Sequence, residues 1–171
     1  MNVMHFSRLV LIPTLRRMDV IYNKNKFASK AAMQLLLGTA VHESLGLRYL
    51  KQTDALGKPR GPALGVYQME PNTLNSLYND YLMYHGDLLK IINTFDNEHS
   101  TREFLLISNL AYATVATRLN YFWKPKRLPE VGDIEGLAAY WKKFYNTPKG
   151  KGTVEEFILN YERYVTEKCY G

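Results

Sequence analysis

Residues 29–44 read SKAAMQLLLGTAVHES, and after a turn-rich stretch residues 65–73 read GVYQMEPNT. Ser29 has the side chain of a helix N-cap, and Met33, Leu36, Leu37 and Ala40 recur at steps of three and four. The first stretch therefore reads as a helix with an apolar stripe, stopped near Gly46. Counting back three and seven positions from Glu43 reaches Ala40 and Leu36, so its carboxyl projects from that stripe at the helix end. Desolvation penalises the charged form of such a group, which then keeps its proton to higher pH and can act as a general acid. A Glu that merely reaches water beyond the core fits the same spacing. What weighs against that plain reading is the second stretch, which sets a glutamine-bearing turn opposite the helix end.

Working outward, helices account for most of the chain. Between Gly46 and Pro62 the residues Asp54, Gly57, Pro59 and Gly61 rule out a regular helix and leave a loop or a short hairpin. Pro71 suits a first helical position, opening a helix toward Tyr84, with Gly86 marking its end. Ser100-Thr101-Arg102-Glu103 has capping-box spacing and begins an apolar helix reaching Tyr121 or Trp123, with Ala111, Ala113 and Ala116 allowing close packing. Asp133 caps a helix to about Phe144, and a turn follows over Pro148–Gly152. Thr153-Val154-Glu155-Glu156 then opens a last helix to about Lys168. The expectation is a predominantly α fold with at most a small loop or hairpin lobe, divided as residues 1–25, an N-terminal arm or extra helix, and residues 26–171, the main domain.

At 171 residues and 46% hydrophobic, the chain suffices for one sizeable core and hardly for two. Its apolar runs, Leu9–Ile12 and Leu35–Leu37, fall far short of the ~20 residues that span a bilayer, so no membrane insertion is expected. Residues 1–17 lack a charged n-region and a small-residue cleavage site, and Cys169 stands alone. Synthesis in a cytoplasm without a Sec leader or an intrachain disulfide is the corresponding expectation. The net charge of +6 is concentrated in the first 60 residues but dispersed there, without a dense Lys/Arg tract. That suits a solvated basic surface or an anionic wall polymer better than specific nucleic-acid recognition. His5, His42, His85 and His99 are scattered, so no metal site is expected. Gly150-Lys151-Gly152-Thr153 lacks the upstream glycine of a phosphate loop, and no cofactor is expected.

Glu43-Ser44 followed by Gly65-x-x-Gln68-Met69-x-Pro71-x-Thr73 resembles the soluble lytic transglycosylase branch of the lysozyme-like superfamily. Tyr145-Asn146 with Gly150 and Gly152 is similar to that family's later Tyr-Asn-Ala-Gly element, and Asn160-Tyr161 to its terminal Asn-Tyr pair; the likeness spans about residues 30–165. Val66-Tyr67 stands where the family has Leu-Met, and Thr147 where it has Ala. Tyr140-Trp141-Lys142, Tyr145-Asn146-Thr147 and Gly150-Lys151-Gly152-Thr153 further resemble small phage-encoded proteins of the group. Such proteins reach the host wall as virion or tail parts or as late lysis factors, which implies other virion proteins as partners and accommodates the absence of a leader.

The resemblance implies cleavage of peptidoglycan between N-acetylmuramic acid and N-acetylglucosamine with Glu43 as the one catalytic residue, first acid and then base. It implies substrate contacts from Ser44, Gly65, Tyr67, Gln68, Met69, Tyr145, Asn146 and Tyr161. Gln68 would hydrogen-bond the sugar, Gly65 would take positive φ or let the backbone approach the glycan, and Tyr67 would offer a stacking face. Ser44 also suits support of the helix end. Both Tyr145 and Tyr161 equally suit core aromatics, and Gln68 a turn residue bonding the backbone. A hydrolytic lysozyme needs a second carboxyl, for which Asp54 and Glu70 are the neighbouring choices. A lysozyme-like virion or tail adaptor with little activity is the reading from another class.

Overall fold

The computed structural model describes residues 1–54, 56–97, 99–146 and 150–166; Thr147, Pro148, Lys168 and Cys169 lie outside them. The architecture is predominantly helical with one small antiparallel two-stranded hairpin. Residues 3–22 form one helical run of α1 (Val3–Phe6), a π-turn (Ser7–Leu11) and α2 (Ile12–Tyr22). Pro13 lacks the N–H that an α-helix interior requires, and the wider π-turn just before it absorbs that mismatch. This segment is the extra helix of the two alternatives, not a free arm. Phe6, Leu11, Leu15 and Met18 are fully buried and belong to the same core as the rest of the chain. Asp19 then folds the chain back, its carboxylate accepting from the backbone N–H of Lys26 and Phe27 (both 2.7 Å) and of Ala28 (3.1 Å).

Helix α3 (Lys30–Glu43) starts where the sequence places it, with Ser29 Oγ accepting from Ala32 N at 3.2 Å. Strands β1 (Lys51–Thr53) and β2 (Pro59–Leu64) pair Lys51 with Leu64 and Thr53 with Pro59, so the turn-rich segment is the hairpin. Next, α4 (Pro71–Ser76) continues through a π-turn and a 3₁₀ turn to Tyr84. Gly86 does not only end that run. It opens α5 (Gly86–Asn93), which sequence reading missed because a glycine reads as a stop when no N-cap side chain accompanies it.

The helix expected from Ser100 to Tyr121 is two helices. Thr101, rather than Ser100, caps α6 (Arg102–Ser108), accepting from Phe104 N at 3.2 Å. Asn109 caps α7 (Leu110–Phe122) by accepting from Tyr112 N at 3.0 Å, and its extended backbone makes the break. Asp133 caps α8 (Ile134–Trp141), which runs on as a π-turn to Asn146. Thr153 and Glu156 form the capping box of α9 (Val154–Tyr161). The middle of the molecule is α3 against α7, whose residues from Tyr112 to Tyr121 are all buried, with α8 and α9 closing over the end of α3. No helix among the described residues is long and apolar enough to cross a membrane.

Candidate active site

The end of α3 is held rigidly. Ser44 is buried with its hydroxyl donating to the Ala40 carbonyl at 2.6 Å, and Gly46 N closes back on the Val41 carbonyl at 2.7 Å. Leu45, Gly46 and Leu47 are three successive left-handed residues, at φ 49°, 72° and 64°. Gly46 is required twice over, by that φ and because a Cβ would sit 2.6 Å from the Tyr164 ring. Left-handed leucines cost roughly 1 kcal/mol or more each and persist only where surrounding packing dictates them. The strain is therefore concentrated immediately after Glu43, where it fixes the carboxyl's exit from the helix.

Glu43 sits at the wall of a cleft of about 570 Å³ bordered also by Gln68, Met69, Glu70, Asn120, Tyr145 and Asn146. Trp141 Nε1 donates to its Oε1 at 2.8 Å. Burial lifts the Glu43 pKa from 4.5 to about 7 against the opposing pull of that hydrogen bond, and no charged group contributes. Within reach of the carboxyl's charge is a pair of buried neutral hydroxyls. The Tyr121 and Thr39 hydroxyls are 2.8 Å apart; Thr39 donates to the Leu35 carbonyl at 2.8 Å, so it accepts from Tyr121. The Tyr121 ring stacks on Tyr145 with centroids 5.3 Å apart. Burial raises the pKa of both tyrosines far above the usual value, and the Glu43 charge raises them further, so both stay protonated donors beside it.

The turn opposite is a tight reversal. Leu64 and Met69 exchange backbone hydrogen bonds of 3.0 Å each way, and Gln68 N donates to the Gly65 carbonyl at 3.0 Å. Gly65 has φ +73°, and a Cβ there would collide with the Leu106 carbonyl oxygen. Its close approach is therefore to α6 rather than to a ligand, which corrects one of the two roles expected of it. Gln68 takes the turn role, its Nε2 donating to the Gly65 carbonyl at 2.7 Å, and the residue also borders the cleft.

The other expected contacts divide. Tyr145 borders the cleft and donates its hydroxyl to the Tyr67 carbonyl at 2.8 Å, joining the site's two halves. Asn146 borders it too, its Oδ1 accepting from Lys142 Nζ at 2.8 Å, with Nδ2 making no hydrogen bond among the described residues. Met69 contributes an apolar patch of wall. Tyr67 does not face the cleft: its ring is buried, tilted against Phe6 at 6.3 Å, with the hydroxyl 3.2 Å from Thr114 Oγ1. Ser44 is spent on the helix end. Tyr161 packs beneath α3, its ring in contact distance of Gly38 and parallel to Phe157. Its neighbour Asn160 supports the site indirectly, with Nδ2 donating to His42 Nδ1 at 3.0 Å. That bond fixes the His42 ring, which packs edge-on against Trp141 at 4.4 Å. Of the two spare carboxylates, Glu70 lies in the cleft, whereas Asp54 is occupied capping its own turn through Leu56 N (2.9 Å) and Lys58 N (3.0 Å).

Two residues were missed. Trp141 drew notice only for resemblance, because nothing in sequence says that a residue 98 positions away will meet Glu43. Asn120 is 2% exposed and borders the cleft, yet its amide has no hydrogen-bond partner among the described residues. The available signal was an amide four positions beyond Ala116, on the buried stripe of α7. Among the described residues no group of three or more His, Cys, Asp or Glu could hold a metal ion. The site offers one proton-bearing carboxyl with neutral donors and acceptors around it, and Glu70 and Lys151 as the other charged residues bordering the cleft, an arrangement that suits acid catalysis on a polar chain. No family model, curated protein or solved structure matches the chain.

Proposed function

We propose that this chain is a peptidoglycan-cleaving lytic transglycosylase with a lysozyme-like fold, acting on the β-1,4 bond between N-acetylmuramic acid and N-acetylglucosamine. The observation that carries the reading is the Glu43 carboxyl, held near pKa 7 by burial at the wall of an open cleft and set by Trp141. In its acid form Glu43 gives its proton to the bridging oxygen as the C1–O bond breaks and the bonding pair leaves with that oxygen. The muramyl 6-hydroxyl adds to C1, and the Glu43 carboxylate takes the hydroxyl proton, which restores the acid. No water is consumed, and the products are a 1,6-anhydromuramyl end and a free 4-hydroxyl. The hydrogen bond from Trp141 stabilises the carboxylate between the two proton transfers. Gln68 Oε1 and Asn146 Nδ2 offer an acceptor and a donor to sugar hydroxyls or acetamido groups.

One observation favours a rival within the same class. Glu70 is exposed in the same cleft and could activate a water, as the second carboxylate of an inverting hydrolase does. The resemblance of residues 140–153 to phage-encoded proteins supports an enzyme carried in the virion or tail, or released at lysis.

Mass spectrometry of the soluble products from purified peptidoglycan, treated with wild type, Glu43→Gln and Glu70→Gln, tests these readings. Anhydro-muropeptides made by wild type and by Glu70→Gln, and absent with Glu43→Gln, are expected. Reducing ends that need both carboxylates would move the assignment to a hydrolase. Silence of wild type on several walls would leave a structural virion or tail adaptor.

A further inference from the structure

A second concavity, of about 380 Å³, opens between the 26–29 loop and the connector that follows α7, and it is unlike the first in charge. Lys26, Arg118, Lys124, Lys126 and Arg127 border it, and no acidic residue does. Arg118 is only 4% exposed: Nε donates to Phe27 O at 3.1 Å and Nη2 to Lys26 O at 2.9 Å, and the guanidinium lies 5.6 and 5.4 Å from the Phe27 and Phe122 ring centroids. Its remaining N–H groups are not sealed in the core, so they open to the pocket. The acid whose field reaches Arg118 is Asp19, whose oxygens are taken by the backbone N–H groups of residues 26–28. Tyr140 donates to the Lys126 carbonyl at 2.8 Å and pins the connector that carries the other cations. Burial lowers the pKa of Arg118 to about 10 and lowers that of Lys124 as well, so withdrawing these charges from water opposes folding. Carbonyls and ring faces leave this cluster of cations without a carboxylate in hydrogen-bond contact among the described residues, so the pocket suits a counter-charge from outside.

We infer that this pocket binds one phosphate-class oxyanion, the phosphate or pyrophosphate group of a small molecule. A planar guanidinium at the floor with ammonium groups around the rim matches the several acceptor oxygens of such a group. The cations converge on a single concavity and do not run along a track, as binding of a polyanionic strand would require. The site is independent of the cleavage reading. Tyr121 separates it from the catalytic cleft, bordering the pocket while stacking on Tyr145, which borders the cleft.

Calorimetric titration of the full chain with pyrophosphate in chloride buffer tests the inference. Wild type should bind one equivalent. Lys126→Gln/Arg127→Gln, which changes two exposed side chains and leaves the Tyr140 bond intact, should bind about a hundredfold more weakly, or roughly tenfold for each charged hydrogen bond lost. The charge-matched variant Arg48→Gln/Lys51→Gln, on exposed positions elsewhere, should bind like wild type. Three results overturn the proposal: no heat of binding with wild type, an equal loss in both double variants, or affinity for single-stranded oligonucleotides that exceeds that for pyrophosphate and grows with their length. The last would make this face a general polyanion surface.

Discussion

Replacing Glu43 by Gln should stabilise the protein, and only above mildly acidic pH. Burial raises the folded-state pKa of Glu43 from 4.5 to about 7, so between those values the native protein binds more protons than the unfolded chain. Stability therefore falls as pH rises through that window, and the penalty is complete above the folded pKa. At about 1.4 kcal/mol for each tenfold change in proton affinity, the penalty approaches about 3 kcal/mol at pH 8 and vanishes below the unfolded value. Glutamine keeps an oxygen to accept from Trp141 Nε1, fills nearly the same volume, and cannot ionise. The variant should match wild type below pH 4.5 and exceed it by up to about 3 kcal/mol at pH 8. For a domain of this size that is roughly 6–12 °C in melting temperature. Denaturant melts of both proteins at acidic, intermediate and alkaline pH would measure the difference directly. Parallel pH profiles would mean that Glu43 titrates like a surface carboxylate, and the acid role assigned to it would fall with the shift.

Asn120→Leu should change stability by no more than about 1 kcal/mol, since the wild-type amide makes no hydrogen bond among the described residues and its polar atoms open to the cleft rather than being sealed in the core; turnover of peptidoglycan should fall all the same, and a large loss of stability would show that the amide is partnered. Tyr67→Phe should cost about 1 kcal/mol through its bond to Thr114 and leave activity intact, because its ring faces Phe6 and not the cleft; a selective loss of activity on an unchanged melt would restore the stacking role. Gly65→Ala should destabilise by at least about 1 kcal/mol from the positive φ alone, and by more from the clash with Leu106, as read by thermal melting. Trp141→Phe removes the one group that favours ionised Glu43, so the Glu43 titration followed by carboxyl carbon NMR should move above pH 7 by roughly 1 to 2 pH units.

What the sequence revealed about the fold follows from what is local. The caps at Ser29, Asp133 and Thr153 act within four residues and were legible, as was the Pro71 start. The split of α6 from α7 was not, because Asn109 sits inside an unbroken apolar pattern, and its capping conformation is decided by what its side chain reaches. Asn109 Nδ2 donates to the Phe95 carbonyl at 3.0 Å, a contact across fourteen residues that no periodicity predicts. The N-terminal segment reads as an arm or a helix for a related reason. Its apolar positions become a face only when α3 and α7 supply the opposing surface.

The site divides along the same line, and the division bears on how its chemistry is tuned. Placing a carboxyl at the end of an apolar stripe requires only the spacing of Leu36, Ala40 and Glu43, which the sequence displays. Setting the acid strength of that carboxyl requires the surroundings to be dry and uncharged, and those surroundings come from α7, α8 and the turn before α4. Each contributes a neutral group: Tyr121 and Asn120 from α7, Trp141 and Tyr145 from α8 and its extension, Gln68 from the turn. A single Lys or Arg in any of these places would draw the pKa back toward the usual carboxylate range, since an opposite charge within about 4–6 Å favours ionisation. Of the nearby basic residues, Lys142 holds Asn146 and the Gly150 carbonyl and Arg118 faces away into the second pocket, while Lys151 borders the cleft without contributing to the Glu43 shift. In a chain of net charge +6, with Glu70 and Lys151 bordering the same cleft, the neutral groups immediately around Glu43 are what leaves burial as the dominant influence on its pKa. That dominance is also what the pH-dependent stability of Glu43→Gln would register first, because any cation reaching the carboxyl would shrink the difference between the two proteins at alkaline pH.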